Sequence, residues 1–320
     1  MSLTFASFGE TVARVRAQVA RAVVGQDEPL ELMLTALFAG GHALLEGVPG
    51  TGKTLLVRAL GRALQLRSTR VQFTPDMMPS DITGTNVFQV QKGAFETVRG
   101  PIFTDLLLAD EINRTPPKTQ SALLEAMQER SVTLDGVRHP LSQFFTVFAT
   151  QNPIEFEGTY PLPEAQRDRF LLWIEVAYPA EAQEDEILRR THRGDDLAGA
   201  ALDTIAPALE GEGLADGRRL CQQVHADEPL LAYVRRIVRA TRQHDALLLG
   251  AGPRAGIALL QAAKARAALQ GRDFLTPDDV KGLAPAVLRH RLVLRAEAEI
   301  EGLSAAEIVG GILGGIEVPR

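Results

Sequence analysis

A single cysteine, Cys221, stands among 320 residues, so the chain forms no internal disulfide and offers no pair of thiols to zinc. Aromatic residues are scarce at 5%, with one tryptophan and three tyrosines. That leaves no evident basic, aromatic-rich face of the kind that stacks single-stranded nucleic acid. Positive charge is not in excess either: 34 Lys and Arg face 40 Asp and Glu, for a formal net charge of −6 and a pI near 5.6. General attraction to nucleic acid or to an anionic membrane is thereby disfavoured, and proteins are the expected partners. No run approaches the ~20 apolar residues that span a bilayer. The stretch 5–24 carries Glu10, Arg14, Arg16 and Arg21 within its apolar periodicity and reads as an amphipathic helix rather than a signal peptide. A cytoplasmic protein without membrane insertion is expected. The six histidines, His42, His139, His192, His225, His244 and His290, show no close ligand spacing, which points to structural or surface roles.

What is present is a 45% hydrophobic composition over a length sufficient for a sizeable core and two domains. The stretch that organises it is Gly47-Val48-Pro49-Gly50-Thr51-Gly52-Lys53-Thr54, between the apolar run Ala43-Leu44-Leu45 and the helical pattern Leu55, Leu56, Ala59, Leu60. The spacing GxxxxGK[ST] between a strand and a helix predicts a phosphate-binding loop. Glycines let backbone N–H groups turn toward a β-phosphate, and the helix that follows adds the positive end of its dipole. Lys53 is placed to reach β/γ oxygens and Thr54 to ligate Mg²⁺, with Gly47, Pro49, Gly50, Thr51, Gly52 and Leu55 around them; no other metal is implied.

In chain order, Asp27-Glu28-Pro29 reads as a helix start with an acidic first turn, and Gly40-Gly41 as its end. Short apolar runs alternating with helices predict α/β architecture, a parallel sheet flanked by helices. Residues 86–98 read as a hairpin with a Gly-containing turn. Residues 131–140 read as a second one around Asp135-Gly136, a type I′ signal. Between them, Thr104-Asp105-Leu106-Leu107-Leu108-Ala109-Asp110-Glu111 reads as an apolar run ending in two acids, a buried strand that delivers two carboxylates at its C-terminal edge, where ligands bind in open α/β sheets. Asp110 suits Mg²⁺, through its waters, and Glu111 the polarisation of an attacking water. A later strand ends at Gln151-Asn152-Pro153, whose amide either orients water or caps a turn. Arg167 and Arg169 precede a last strand at 171–176.

This constellation resembles the MoxR family of AAA+ ATPases. The resemblance rests on the P-loop, Leu-Leu-Leu-Ala-Asp-Glu-Ile-Asn-Arg at 106–114, Pro-Pro-Lys-Thr-Gln-Ser-Ala-Leu-Leu-Glu-Ala-Met-Gln-Glu-Arg at 116–130, Ala-Thr-Gln-Asn-Pro at 149–153 and Glu-Ala-Gln-x-Asp-Arg-Phe at 164–170. It covers nearly the whole chain. It implies that Asn152 is sensor 1 and that Arg169 is the arginine finger, donated to the neighbouring subunit's nucleotide. Arg167, where most members carry an apolar residue, leaves open which arginine reaches the γ-phosphate. The two hairpins match the helix-2 insert and the pre-sensor-1 hairpin, which face the central pore in related ATPases. Val24-Gly25-Gln26 resembles the segment that cups adenine.

Tyr178-Pro179 reads as a domain boundary, giving an α/β core at 1–178 and an all-helical lid at 179–320. Helical spacing covers 181–190, 228–241, 254–269 and 277–283. Thr276-Pro277-Asp278-Asp279 is a well-formed helix start, and Ser304-Ala305-Ala306-Glu307 matches a capping box. Residues 194–217, rich in Gly, Ala and Asp, read as a loop with weak helix. Arg254 stands at a helix start, where the dipole opposes a cation. The resemblance implies that it is sensor 2, reaching the γ-phosphate from the lid; a salt bridge to a core carboxylate is the structural alternative.

The resulting expectation is an ATP hydrolase using ATP and Mg²⁺, assembled as a homo-oligomeric, hexameric ring. It would remodel or mature protein clients alongside a separate polypeptide with a von Willebrand factor A domain. Two other classes stay open: a nucleic-acid motor or loader, and a nucleotide-gated scaffold with little turnover.

Overall fold

The structure is a computed structural model that describes residues 3–48, 50–151, 158–194, 196 and 199–319. Five parallel strands form the central sheet: β1 (Ala43–Glu46), β2 (Ser68–Gln72), β3 (Leu106–Asp110), β4 (Thr146–Gln151) and β5 (Leu172–Glu175), in the order β2-β3-β4-β1-β5. Alternation along each strand divides the apolar residues between two faces. Ala43, Leu45, Leu106 and Leu108 enter one hydrophobic cluster, and Leu44, Leu107 and Ala109 the other. Covering both faces is what makes these strands continuous apolar runs.

On the first face lie α1 (Phe5–Val19), α2 (Asp27–Phe38) and α3 (Lys53–Ala63). The second face is covered by α4 (Pro79–Thr83) and α5 (Pro117–Glu129), whose Leu123, Leu124 and Met127 form the apolar stripe. Between β2 and β3 a hairpin pairs Gly84–Gln89 with Ala94–Arg99; after α5 a second pairs Ser131–Leu134 with Val137–Pro140. Its turn residues Asp135 and Gly136 both have positive φ, 46° and 82°, as a type I′ turn demands.

Past β5 the chain is mostly helical: α6 (Glu164–Arg167) precedes that strand, and α7 (Glu181–His192), α8 (Ala200–Asp203), α9 (Glu212–Gln223), α10 (Glu228–Thr241), α11 (Pro253–Leu269), α12 (Pro277–Leu288), α13 (Ala296–Ile300) and α14 (Ala305–Gly315) follow it. The capping boxes at Thr276/Asp279 and Ser304/Glu307 form as read. Two features differ from the sequence reading. A small antiparallel pair, Leu247–Leu249 with Val293–Leu294, interrupts the helices. The segment read as a loop with weak helix runs into α9, with a buried face of Leu214, Gly217, Leu220 and Cys221. Its glycine is required by packing: a Cβ at position 217 would meet the rings of Phe8 and Phe38 at 2.6 and 2.8 Å.

The first hydrophobic cluster runs from the sheet through α1 and α2 into α9–α12 and α14. The lid helices therefore share one core with the α/β unit. Among the described residues, no helix is long and apolar enough to cross a membrane.

Candidate active site at the carboxyl edge of the sheet

β1 ends at Glu46 and the chain turns through the loop into α3, so the loop sits at the C-terminal edge of the sheet. Each described glycine in it answers a local constraint. A Cβ on Gly47 would lie 2.3 Å from the Val176 carbonyl oxygen. Gly50 and Gly52 have φ of 85° and 82°, the left-handed region that L side chains adopt only at a cost. A Cβ on either would meet nothing within 4 Å, so the backbone there is bare toward the cavity. The cavity holds about 420 Å³ and is lined by Gly47, Gly50, Thr51, Gly52, Lys53, Thr54 and Leu55 together with Asp110 and Glu111. Bare N–H groups at the start of an eleven-residue helix make a cradle for phosphate oxygens.

The Lys53 ammonium donates to the carbonyl oxygens of Gly47 (2.9 Å) and Val48 (2.7 Å) and to Thr51 Oγ1 (3.3 Å). Partial burial lowers its pKa, and the nearby Asp110 and Glu111 charges pull the other way. Val24 and Gly25 lead into Gln26, which is buried. The Gln26 amide donates to the carbonyls of Thr51 (3.3 Å) and Ala177 (3.4 Å), tying the segment before α2 to the loop. Gly25 has φ 75°, and a Cβ there would strike Gln183 of α7 at 2.5 Å.

The two carboxylates come from the end of β3. Glu111 itself adopts a left-handed backbone, φ 57° and ψ 50°, a strain of about 1–3 kcal/mol for a non-glycine residue. Its N–H donates to Thr150 Oγ1 at 2.8 Å, while the Thr150 hydroxyl donates to Asp110 Oδ1 at 2.6 Å. One threonine on β4 thus fixes both acids. From the edge strand, Arg70 donates to Asp110 Oδ2 through Nη2 (2.6 Å) and Nε (3.0 Å), and Gln72 Nε2 donates to Glu111 Oε2 at 2.6 Å. Arg114 Nε lies 2.9 Å from the same Glu111 oxygen. Arg58, Arg70, Thr150 and Gln151 also line the cavity. Sequence reading missed all four, together with Gln72. A signal existed for one pair, since Arg70 and Gln72 are two polar residues on one face of a strand.

Pro49 and Asn152 fall outside the described residues. Arg169 is not at the cavity. It lines a separate groove with Ser121, Glu125, Gln128 and Glu129 of α5. Arg167 turns the other way, toward Glu46, Trp173 and Arg289, with Glu164 3.9 Å from it. Arg254 is not brought to the cavity either. It begins α11, its side chain is 71% exposed, and it lies 3.9 Å from Asp168, the core carboxylate of the structural alternative. The Leu171 N–H donates to the His42 carbonyl, just before β1. Residues 168–171 are therefore at the N-terminal edge of the sheet, a strand length of roughly 13 Å from the loop.

A family model described as ATPase family associated with various cellular activities (AAA) matches residues 42–172, and one for the AAA lid domain matches residues 239–312. The chain is 43% identical to the chaperone MoxR1 of Mycobacterium tuberculosis, over 97% of this chain and 83% of that protein. It is 35% identical to the MoxR protein of Methylorubrum extorquens, over 91% and 90%. This chain belongs to the MoxR family of AAA ATPases. A crystal structure of a Cytophaga hutchinsonii protein assigned as an ATPase superimposes with a TM-score of 0.90 at 40% identity, covering 98% of this chain and 96% of that one. The sequence-based expectations of a MoxR-type ATPase, and of an α/β AAA core carrying a C-terminal helical lid, hold. For a MoxR protein the family implies ATP binding and hydrolysis, and the described loop has the backbone and charge to receive a triphosphate.

Proposed function

We propose that this MoxR protein hydrolyses ATP with Mg²⁺ at the P-loop cavity, in a ring of six like subunits, and uses the cycle to remodel or mature protein clients. What carries the reading is a separation. The loop, Asp110 and Glu111 converge at one edge of the sheet, while Arg169 lies at the other, too far to serve its own nucleotide. A guanidinium left on the far edge is what a site shared between neighbouring subunits needs.

Lys53 and the loop N–H groups bind the β/γ oxygens; Thr54 and Asp110 supply hard oxygen ligands suited to Mg²⁺. Bound there, the metal would neutralise charge on the bridging phosphates. Glu111, held by Thr150 through its N–H, takes the proton of the attacking water, and Asn152 is assigned to orient that water. Val24 and Gly25 cup the adenine. Arg169 is donated to the neighbour's γ-phosphate, and Arg254, beside Asp168 at the same edge, is offered with it. We assign the finger to Arg169 in preference to Arg167, which is turned toward Glu46 and Arg289. The boundary between core and lid is placed at Tyr178-Pro179, between β5 and α7. Client remodelling is supported by the chaperone designation of the mycobacterial relative. A separate von Willebrand factor A domain partner and a cytoplasmic location rest on family analogy.

In a Mg²⁺-dependent hydrolysis assay, Glu111→Gln is expected to lower turnover by roughly 10²-fold or more while a fluorescent ATP analogue still binds. Unchanged hydrolysis would remove Glu111 from its role. Negligible wild-type turnover with tight ATP binding would select the nucleotide-gated scaffold instead.

A further inference from the structure

We infer that Arg70 is the resident counter-ion of Asp110 and competes with Mg²⁺ for it, so that metal is taken up with nucleotide and not ahead of it. The inference rests on the reading above that Asp110 holds the metal. Two nitrogens of Arg70 donate to one carboxylate oxygen, Asp110 Oδ2, at 2.6 and 3.0 Å. The other oxygen, Oδ1, accepts the Thr150 hydroxyl at 2.6 Å. A carboxylate has about four lone-pair sites, two on each oxygen. Arg70 fills both sites on Oδ2 and Thr150 one of the two on Oδ1, so that while Arg70 stays a single site is left to accept from metal-bound water, on a carboxylate whose charge is already paired.

The Lys53 ammonium acts on Asp110 only through its nearby charge, since its hydrogen bonds go to the Gly47 and Val48 carbonyls and to Thr51; the cation in direct contact with the carboxylate is Arg70. Arg70 is free to exchange. Half of its side-chain surface is exposed, against 14% for Asp110, and it lies on the wall of the same cavity as Lys53 and Thr54. Its Nη2 also donates to Gln72 Oε1 at 2.7 Å, a neutral partner it can keep while leaving the carboxylate.

A divalent cation arriving alone finds the Thr54 hydroxyl and a carboxylate already paired with a guanidinium. The same cation arriving on a triphosphate brings oxygen ligands of its own. The phosphates also offer the displaced guanidinium a second anion. Exchange at Asp110 is therefore favoured by nucleotide and opposed without it.

The full-length chain carrying Arg70→Gln, and separately Arg70→Met, tests this with Mn²⁺ as the probe, titrated by electron paramagnetic resonance in the absence of nucleotide. Both variants are expected to bind Mn²⁺ roughly tenfold more tightly than wild type, a difference of about 1.4 kcal/mol, whereas Arg70→Lys stays near wild type. Binding of a fluorescent, non-hydrolysable ATP analogue should reach half-saturation at lower Mg²⁺ in the same two variants. Unchanged or weaker Mn²⁺ binding in both, with native circular dichroism, overturns the proposal. Asp110→Asn separates this from the underlying assignment. If it leaves Mn²⁺ binding unaltered, Asp110 does not hold the metal. If it weakens binding while the Arg70 variants change nothing, the competition alone fails.

Discussion

At the scale of single residues, the buried histidines carry the chain's clearest pH dependence. His42 is buried just before β1, against α5. The Val147 N–H donates to its Nδ1 at 2.9 Å, which leaves Nε2–H to donate to the Met127 carbonyl at 3.2 Å. Both ring nitrogens are thus satisfied in the neutral form, and a second proton has no acceptor. Burial, with the Arg130 charge adding to it, pushes its pKa from 6.5 down to about 3. His290, donating to Phe170 O, is likewise driven well down by burial. A folded pKa below the unfolded one means that the unfolded chain takes up the proton first. The stability tied to a neutral His42 is complete above pH 6.5 and drains away as pH falls toward 3. Between pH 7 and pH 5 this amounts to about 2 kcal/mol for this histidine. Urea unfolding at the two pH values should show that loss, and His42→Asn should remove its share of the slope while lowering stability at pH 7. An identical pH dependence in the variant would show that His42 is not the group responsible.

At the scale of elements, what was legible followed from how locally each signal is encoded. The P-loop is eight consecutive residues whose glycines and lysine are fixed by phosphate chemistry, and Asp110-Glu111 closes a run of buried strand. Both could be read without a fold. Arg70, Gln72 and Thr150 could not, because their roles depend on register: Gln72 lies opposite Asp110, and Ala109 opposite Ala149, facts set by sheet assembly. α9 was missed for a related reason. Its Gly217 looks like a helix breaker until Phe8 and Phe38 are seen against it.

The hairpins were legible as turns but not as a coupled pair. Asn86 of the first donates through Nδ2 to Asp135 at the turn of the second, 2.7 Å, and accepts from Thr97 Oγ1, 2.7 Å. The first exposes Val90 and Phe95 at 83% and 72%, more apolar surface than an idle loop gains from showing. Asn86→Ala removes both bonds, each contributing about 1 kcal/mol. Amide exchange across residues 86–97 and 133–137 should then quicken by roughly fivefold or more, with the sheet unaffected. Faster exchange in the first hairpin alone would mean that the two move independently.

At the scale of the whole molecule, the helices after β5 are fastened to the core by two arginines, Arg291, which is buried, and Arg218, which is half-buried. Arg291 pairs with Asp168 at 2.8 Å and donates to Phe170 O at 2.7 Å and Leu171 O at 3.2 Å. Arg218 of α9 donates to Leu37 O at 3.0 Å and also to Gln143 O. With a hydrophobic cluster continuous across both units, a subunit that answers to nucleotide by moving its lid alone would have to break these contacts. Motion of core and lid together against the neighbouring subunit would not. In the ring proposed above, the interface would then be the place where hydrolysis is read, and the proposed shared site has a quantitative test. Arg169→Ala subunits keep an intact P-loop but donate no finger; Lys53→Ala subunits donate the finger but bind no phosphate. Each is expected to be nearly inactive alone. In a random equal mixture, about one interface in four joins an intact P-loop to an intact arginine, so independent sites should recover roughly a quarter of wild-type hydrolysis, as expected for a heterologous ring contact. The assay is ATP turnover against mixing ratio, with assembly followed by light scattering. If mixed rings form and turnover stays at the level of the separate variants across all ratios, Arg169 does not complete a neighbour's site.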